Sequence, residues 1–282
     1  MSVYIIAEIG INHSGSRVSA LDLMKAAKRC GADMVKFQRR NVDVVYSPAE
    51  LAKPRESPWG TTTGHQKRGL ELSWEDYDFL WAQARELEIE MFWSCWDIGS
   101  LVEIERRYKP RFQKIASAML AHLDFCEMVS KLKHDHTFIS TGMSDYDEID
   151  PVVDMFLHRG RSFTLMHCIG WYPCPDPSVN VRMVETLRQR YPGVPIGYSS
   201  HDVGLLPSIL AVALGATSVE KHITLDRASY GSDQAASMEP GGFERLVREC
   251  RAVESCLGDG VKRVLPEELQ SAKKLRYWRA NG

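Results

Sequence analysis

Residues 4–38 read YIIAEIGINHSGSRVSALDLMKAAKRCGADMVKFQ and place a longer amphipathic segment between two short apolar runs. Tyr4–Ile9 and Met34–Gln38 have the length and the β-branched or aromatic content of strands. Ser19–Cys30 has apolar residues at the three- and four-residue spacing of a helix, and Gly31 follows where helices commonly end. The stretch therefore predicts a strand, a helix and a second, parallel strand.

The same alternation continues along the chain. Further predicted strands are Glu90–Ser94, Phe112–Ala116, Thr137–Ser140, Phe163–His167, Pro195–Tyr198 and Ser218–Lys221. Further predicted helices are Trp74–Leu87, Ser100–Tyr108, His122–Lys131, Asp147–His158, Val181–Arg190, Leu206–Leu214 and Phe243–Leu257. Eight strand–helix units in a chain of 282 residues match the ~250 residues of a typical eightfold barrel. We therefore predict an α/β fold, a single (β/α)8 TIM barrel over residues 1–260 with a C-terminal tail at 261–282.

Two irregular segments interrupt this pattern. Arg39–Leu72 follows the second strand and is too long for a simple connection, and Gly170–Asn180 contains three prolines. Long loops at the catalytic face of a barrel often cover the active site. We expect Arg39–Leu72 to do so.

Charge and composition exclude several classes of partner. The chain carries 35 Lys and Arg against 37 Asp and Glu, a net charge of −2, so no overall field attracts nucleic acid or a membrane surface. It has no apolar run near the ~18 residues of a membrane span, and its N-terminus has no basic region before Glu8. Seven scattered cysteines without a CxxC pair fit a reducing compartment. We expect a cytoplasmic protein.

Polar residues collect where the predicted strands end, which is where barrel enzymes hold their catalytic groups. They are Glu8, Lys36, Gln38, Lys114, Ser117, Ser140, Thr141, His167, Ser199, His201, Glu220, Lys221 and His222. Any one of them could simply cap its strand. Their recurrence at most of the strands favours a functional site.

Three lysines lie inside strand patterns, at Lys36, Lys114 and Lys221. A buried ammonium needs an anionic partner, because an uncompensated charge loses its hydration. The partners are Glu8 and Glu220, or a bound phosphate and carboxylate. The lysines therefore predict either a site for a phosphorylated acid or salt bridges without a ligand.

Two histidines, His201 and His222, end the last two predicted strands. Neighbouring strand ends would bring their imidazoles close enough to share one divalent metal. Their spacing in the sequence alone is a weak signal.

Eight segments occur in a recognisable order: IAEIGINHSGS, GADMVKFQ, KIAS, ISTGM, HCIGWYPCP, IGYSSHDVG, LGATSVEKHITLDR and GSDQAASMEP. Together they resemble the sialic acid synthase family, the N-acetylneuraminate synthases and their relatives for legionaminic, pseudaminic and spore-coat sugars. The resemblance runs from about Ile5 to Gly260, almost the whole predicted barrel.

The resemblance implies a transferase that condenses phosphoenolpyruvate with an open-chain aldose, usually an N-acylated hexosamine. The products are an α-keto acid sugar and phosphate, and the reaction uses a divalent metal such as Mn²⁺ or Mg²⁺. The implied metal ligands are His201 and His222. The implied phosphoenolpyruvate-binding residues are Lys36, Ser94, Lys114, Ser117, Ser140 and Ser199. Sugar-side residues would be Glu8, Gln38, Tyr172 and Asp233, and the catalytic set Glu8, Lys36, Lys114 and Glu220.

Several positions depart from the family pattern. Met119 replaces the usual acid, Gly170 replaces an asparagine, and Ser200 replaces the aspartate of a Ser-Asp-His motif. The chain also stops at Gly282, where most relatives continue into an antifreeze-like domain that reaches a partner subunit and touches the N-acyl group. We therefore expect an acceptor other than plain N-acetylmannosamine, or that sugar bound with less demand for its N-acyl group. A homo-oligomer stays open.

Three alternatives stay open beside this interpretation. A Schiff-base aldolase would use Lys114 or Lys221 as its amine. A non-catalytic paralogue would bind a sugar at the barrel mouth. Arg39–Leu72 or a separate chain could also restore the contacts of the absent domain and keep the usual substrate.

Overall fold

A computed structural model of the chain describes residues 3–279 and confirms the predicted TIM barrel. The strands are β1 (Tyr4–Gly10), β2 (Met34–Arg39), β3 (Pro54–Ser57), β4 (Gly60–Thr62), β5 (Glu90–Cys95), β6 (Phe112–Ile115), β7 (His136–Ser140), β8 (Phe163–Cys168), β9 (Ile196–Ser200) and β10 (Ser218–His222). All except β3 and β4 form one closed parallel barrel, in which β1 pairs with both β2 and β10.

Helices surround the barrel. They are α1 (Arg17–Arg29), α2 (Val42–Val45), α3 (Pro48–Leu51), α4 (Thr63–Leu70), α5 (Trp74–Glu86), α6 (Ile98–Arg107), α7 (Leu123–Lys131), α8 (Tyr146–His158), α9 (Asp176–Val179), α10 (Met183–Arg190), α11 (Leu206–Ala213), α12 (Pro240–Leu257) and α13 (Pro266–Leu275). The predicted helices all occur, with ends that differ by a few residues. No helix among residues 3–279 is long and apolar enough to cross a membrane.

Two apolar layers build the core. The outer layer packs strand side chains such as Phe37, Trp93 and Leu165 against the helices. The inner layer fills the barrel with Ile6, Met34, Phe92, Phe112, Phe138 and Met166. Side chains two residues apart on a strand point the same way, so the residue two positions after each member of the inner layer also faces the interior.

The segment Arg39–Leu72 is folded rather than irregular. It contains α2, α3, the β3–β4 hairpin and α4. Trp59 meets Tyr230 edge-to-face at 5.8 Å between ring centroids, and Gln66 Nε2 donates a hydrogen bond to Tyr230 Oη at 3.1 Å. The segment thus docks on the connection between β10 and α12. None of its residues lines the cavity described below, and the expectation that the segment covers the site stays a prediction.

The C-terminal part of the described chain leaves the barrel after α12. Gly258, with a φ of +62°, ends this helix, and residues 258–270 are all exposed. A domain boundary at residue 260 stays a prediction.

Candidate active site

One cavity of about 160 Å³ opens at the C-terminal ends of the barrel strands. Twelve of the predicted site residues line it: Glu8, Lys36, Gln38, Ser94, Lys114, Ser117, Ser140, Tyr172, Ser199, His201, Glu220 and His222. Asp233 lies just outside, with its Oδ2 3.9 Å from Nδ1 of His222. Every barrel strand, or the residues that directly follow it, contributes to this cavity. The individual roles stay predictions.

The alternation of inward- and outward-facing side chains along each strand explains why these residues meet in one cavity. Glu8, Lys36, Ser94, Lys114, Ser140 and Cys168 each follow the inner apolar layer by two positions. Two residues further along, Gln38 and Trp96 face the same opening. The sequence interpretation missed Cys168 and Trp96, and the step of two residues identifies both only once the structure has shown which residues form the inner layer.

Four charged side chains form a continuous chain across the cavity floor. Lys36 Nζ lies 2.9 Å from Glu8 Oε2 and 3.5 Å from Glu220 Oε1. Lys114 Nζ lies 2.9 Å from Glu220 Oε2. All four side chains are almost fully buried, so each compensates the others in a medium of low dielectric constant. This pairing of Lys36 and Lys114 with Glu8 and Glu220 is the one the sequence predicts.

The two carboxyl groups differ in proton affinity. Burial raises the pKa of Glu8, and the attraction of Lys36 only partly offsets this. Burial also acts on Glu220, but Lys114 and Lys36 outweigh it and lower its pKa to about 2. Environments that separate two carboxyl pKa values in this way distinguish a proton donor from a permanent carboxylate.

The pKa values of the two lysines are also shifted apart. Burial would lower the pKa of Lys36, but Glu220 and Glu8 together raise it. Burial dominates at Lys114, whose pKa is lowered although Glu220 opposes the change. A ligand with several negative charges would favour the ammonium form of both.

A network that runs from the cavity wall to Arg40 holds Glu8 in place. Gln38 Nε2 donates to Glu8 Oε1 at 2.9 Å, and Gln38 Oε1 accepts a hydrogen bond from the guanidinium of Arg40. That guanidinium lies 4.4 Å above the ring of Trp96. At Gly10, where φ is +55°, a Cβ would lie 3.1 Å from Glu8 Oε1, so a side chain there would crowd the carboxylate. Arg40 was not predicted from the sequence.

The two predicted metal ligands face each other, with ring centroids 5.8 Å apart. Burial lowers the pKa of His222 to about 4, and its buried Nδ1 has no hydrogen-bond partner. His201 Nδ1 lies 2.5 Å from the carbonyl of Ile169, which can only accept, so Nδ1 carries the hydrogen. His201 Nε2 then accepts from the hydroxyl of Tyr172 at 2.5 Å.

This donor set fits an open metal site in part. Nδ1 of His222 is neutral and unpaired, and Nε2 of His201 has a lone pair held only by a tyrosine hydroxyl. Among residues 3–279, no group of three or more metal-binding side chains is assembled. Two imidazoles suit a catalytic ion that also takes water or substrate oxygens, and they do not suit a closed structural site.

A cysteine thiol completes the wall beside His201. Burial would raise the pKa of Cys168, but His201 and Ser117 outweigh it and lower the pKa to about 7. Its Sγ lies 3.7 Å from His201 Nδ1 and 3.5 Å from Ser117 Oγ. The thiol thus contacts a predicted metal ligand and a predicted phosphoenolpyruvate ligand.

Three predicted strand-end residues, Thr141, Lys221 and His167, do not line the cavity. Thr141 Oγ1 donates to the carbonyl of Met166 at 3.1 Å. The other two side chains face away from the cavity. Lys221 Nζ donates to Ser200 Oγ at 2.7 Å and lies 3.3 Å from Asp202 Oδ2. His167 Nε2 donates to the carbonyl of Val179 at 2.8 Å. Both alternate with inward-facing neighbours, so their side chains point towards the helices. Lys221 is therefore neither part of the anion site nor an available Schiff-base amine, and its partner is not one of the two predicted glutamates.

The three residues that depart from the family pattern lie in different parts of the structure. Met119 packs in the hydrophobic core and does not line the cavity, and Ser200 belongs to the cluster around Asp202. Two of the three positions expected on the acceptor side therefore lie outside the lining of this cavity. Gly170 does line the cavity.

The chain is similar to several known proteins over most of its length. Residues 23–262 match the NeuB family. N-acetylneuraminate-9-phosphate synthase from Mus musculus is 37% identical over 96% of this chain and 76% of its own length. N,N'-diacetyllegionaminic acid synthase from Legionella pneumophila is 35% identical over 95% of this chain and 77% of its own length. The crystal structure of N-acetylneuraminic acid synthetase from Leptospira borgpetersenii, in complex with citrate, superposes with a TM-score of 0.85 at 27% identity, covering 99% of this chain and 93% of that one. The resemblance seen in the sequence is confirmed: the chain belongs to the NeuB family.

Proposed function

We propose that the protein condenses phosphoenolpyruvate with an open-chain aldose to give a sialic-acid-like α-keto acid sugar and inorganic phosphate. The observation that best supports this proposal is the buried row of ion pairs formed by Glu8, Lys36, Glu220 and Lys114 at the floor of one cavity. It supplies two cations for an anionic substrate and two carboxyl groups of unlike proton affinity. Family membership supports a synthase of this class.

Phosphoenolpyruvate is assigned to the deep part of the cavity. Lys36 and Lys114 offset its negative charge, and the hydroxyl groups of Ser94, Ser117, Ser140 and Ser199 donate to its oxygens. Charge-assisted hydrogen bonds of this kind compensate for the hydration that the anion loses. The hydroxyl of Ser140 is buried without a partner, as expected for a group that waits for a ligand oxygen.

His201 and His222 would hold a divalent metal, Mn²⁺ or Mg²⁺, at the upper part of the cavity. When bound, the metal would polarise the aldehyde oxygen of the acceptor. The hydroxyl of Tyr172 would leave Nε2 of His201 and become free for the sugar. Gln38 and Asp233 flank the same opening and are assigned to sugar hydroxyls.

Glu8 is assigned to proton transfer, and Glu220 is assigned to balancing the charge of the two lysines. Carbon 3 of the enol bonds to the aldehyde carbon, and the aldehyde oxygen takes a proton, for which Glu8, with its raised pKa, is the donor. Water adds at carbon 2 and gives up a proton to the Glu8 carboxylate. The bond from carbon 2 to the phosphate oxygen then breaks as the hydroxyl at carbon 2 becomes the carbonyl, and the hydroxyl proton passes to the departing phosphate. Glu220 stays ionised and keeps Lys36 and Lys114 oriented towards the substrate.

Phosphate release from phosphoenolpyruvate, measured across a panel of aldoses with and without Mn²⁺, tests this function. We expect aldose-dependent release that a chelator abolishes. His201→Ala should lose turnover while its circular dichroism spectrum and melting temperature stay those of the wild type. Activity that survives in this variant and ignores the chelator would show that the metal assignment is wrong.

One observation favours a second function, a Schiff-base aldolase. The lowered pKa of Lys114 is a property that such an amine needs. Its ion pair with Glu220 argues the other way, because it holds the ammonium form. Borohydride reduction in the presence of pyruvate distinguishes the two: a covalent adduct on Lys114 supports the aldolase, and its absence together with phosphate release supports the synthase. A non-catalytic sugar-binding protein would show neither.

The remaining assignments follow from the same proposal. A cytoplasmic enzyme has access to phosphoenolpyruvate, and a homo-oligomer would agree with the family resemblance. The names of the relatives include products with a phosphate and products without one. The acceptor is therefore the open question at this site.

A further inference from the structure

Arg40 is a buried arginine that lies directly behind the wall of the candidate active site. Only 6% of the residue is exposed, and it does not belong to the cavity lining. Its Nε lies 3.0 Å from Glu71 Oε1, and Glu71 Oε2 lies 3.5 Å from Nη1 of Arg39. The buried guanidinium is tolerated because this carboxylate compensates its charge. The proposed reaction gives Arg40 no role.

Further contacts fix the plane of this guanidinium. Nη1 donates a hydrogen bond to Tyr46 Oη at 3.1 Å, and Nη2 donates to Gln38 Oε1. The guanidinium carbon lies 4.4 Å from the ring centroid of Trp96, a residue of the cavity lining. A planar group held by a carboxylate, a hydroxyl and an aromatic face has little freedom to turn. The N–H group that Gln38 receives is therefore fixed in direction.

The amide of Gln38 lies between a group that can only donate and a group that, when ionised, can only accept. A guanidinium has five N–H donors and no acceptor, and a carboxylate has no donor. The amide therefore turns Oε1 towards Arg40 and Nε2 towards Glu8, to which it donates at 2.9 Å. The opposite orientation would set donor against donor and acceptor against acceptor, so Arg40 disfavours it.

This orientation bears directly on Glu8. Gln38 holds Oε1 of the carboxyl group and Lys36 Nζ lies 2.9 Å from Oε2, so both oxygens are held. A proton donor must keep its oxygen within hydrogen-bond reach of the atom that it protonates. Without Arg40 the amide could rotate and release Oε1, and the Glu8 side chain would be less well fixed.

The same contacts connect the segment Arg39–Leu72 to the site. Arg40, Tyr46 and Glu71 all belong to this segment, and none of its residues lines the cavity. The segment therefore reaches Glu8 through Gln38.

We propose that Arg40 is a positioning residue of this active site, whose guanidinium sets the orientation of the Gln38 amide and thereby fixes the Glu8 carboxyl group for proton transfer. The part that concerns proton transfer rests on the proposed function, and the part that concerns the amide does not. The proposal deepens that function by adding a residue that acts through Gln38 from outside the cavity.

NMR of the protein labelled with [15N]glutamine tests the orientation of the amide. The chain has seven glutamines, and the side-chain signal that is lost in Gln38→Leu identifies Gln38. We expect Arg40→Met to make exchange of the Gln38 Nε2 protons with solvent at least about tenfold faster, because the amide loses the donor that holds its oxygen.

Two further variants sharpen this measurement. Arg40→Gln should have the same effect as Arg40→Met, because its amide can accept as well as donate and no longer sets a direction. Both variants should fold, which melting temperatures check, since Glu71 keeps Arg39 as a partner. Arg39→Met is the matched control: Arg39 also faces Glu71 but donates to the carbonyl of Leu72 rather than to Gln38, so exchange at Gln38 should be unchanged.

Steady-state phosphate release tests the consequence for Glu8. We expect Arg40→Met to lower kcat by about tenfold to a hundredfold, because the proton donor is displaced from its productive geometry. The KM for phosphoenolpyruvate should stay within about threefold of wild type, because Lys36 and Lys114 still bind the anion. Arg40→Met combined with Gln38→Leu should be no slower than Gln38→Leu alone, since Arg40 acts through Gln38. A residue that only stabilised the fold would lower kcat independently of Gln38.

Two failures are distinguishable. If an aldose causes phosphate release but exchange at Gln38 is unchanged in Arg40→Met and Arg40→Gln, or the effects of Arg40→Met and Gln38→Leu on kcat multiply, the positioning role is wrong and the synthase stands. If no aldose causes phosphate release, the synthase is wrong, and exchange at Gln38 still decides whether Arg40 orients the amide.

Discussion

At the level of single residues, the role of a side chain in this barrel depends on which face of its strand it occupies. Lys114 and Lys221 are both lysines near strand ends, both buried and both paired with a carboxylate. Lys114 faces the cavity that holds Glu220, and Lys221 faces the helices, where it meets Asp202. The same residue type therefore has a predicted substrate-binding role in one place and a structural role in the other.

Substitution of these two lysines should separate the two roles. We expect Lys114→Met to lower kcat/KM for phosphoenolpyruvate by about a thousandfold, which corresponds to ~4 kcal/mol of lost transition-state stabilisation. Its fold should persist, since Lys36 still neutralises Glu220. Lys221→Met should leave kcat/KM within about tenfold of wild type. It should lower the free energy of unfolding by ~3–5 kcal/mol, because the buried carboxylate of Asp202 loses its cationic partner.

Steady-state phosphate release and urea unfolding of the two variants provide the measurements. A Lys221→Met protein of wild-type stability that had lost turnover would contradict the assignment of this lysine to a structural cluster.

At the level of elements, Trp59 is one of the side chains that dock the folded segment after β2 on the rest of the protein. In α4, Gly69 approaches Trp59 so closely that a Cβ would lie 2.1 Å from its Cγ. Trp59 in turn packs on Tyr230. The packing of Trp59 between Gly69 and Tyr230 therefore contributes to the docked position of the β3–β4 hairpin, together with the hydrogen bond from Tyr230 Oη to the carbonyl of Glu56 at 3.4 Å.

We expect Gly69→Ala to release this hairpin. The added methyl group requires Trp59 to move, so limited proteolysis within residues 53–62 should become at least roughly tenfold faster, while the cooperative unfolding of the barrel changes little. Gly241→Ala is the matched control, because a Cβ at that position meets nothing within 4 Å. Equal cleavage rates for Gly69→Ala and the wild type would show that this packing does not hold the hairpin.

At the level of the whole molecule, residues from all eight strands meet at one face, so no fragment of the barrel contains the site. Stability of the closed barrel is therefore a condition for function. Its dependence on pH involves histidines whose pKa the fold lowers, such as the half-buried His136. Burial lowers the pKa of His136 to about 4, and its ring nitrogens contact Ser162 Oγ at 2.7 Å and Thr164 Oγ1 at 2.8 Å.

Acid should therefore destabilise the protein through this residue. Between pH 6.5, the ordinary pKa of histidine, and about 4, the unfolded chain binds a proton that the folded protein does not. Its contribution lowers the free energy of unfolding as pH falls, by at most about 1.4 kcal/mol per pH unit. His136→Asn should remove this slope, whereas His158→Asn, at an exposed position of α8, should retain it.

Urea unfolding at pH 7, 6 and 5 measures the difference between variants. Glu8 and His201, whose pKa values are raised, act in the opposite direction but equally in all three proteins. Identical slopes for His136→Asn and the wild type would contradict the expectation.

The sequence by itself determined the eightfold alternation, the family and most of the residues of the candidate site. Each of these depends on patterns within a few residues, such as the apolar run Tyr4–Ile9 with Glu8 near its end, or on motifs that occur in order along the chain. The close pairing of Lys36 with Glu8 could be anticipated because two buried charges need each other.

Only the tertiary structure decided which way each strand residue faces. Both faces of a parallel barrel strand are buried, so β8 and β10 show no alternation of polar and apolar residues that would mark the interior. That is why Lys221 and His167 were placed in the site and Cys168 was not. Contacts between distant segments, such as Trp59 with Tyr230, depend on how the barrel closes, and closure is a property of the whole chain rather than of any stretch of its sequence.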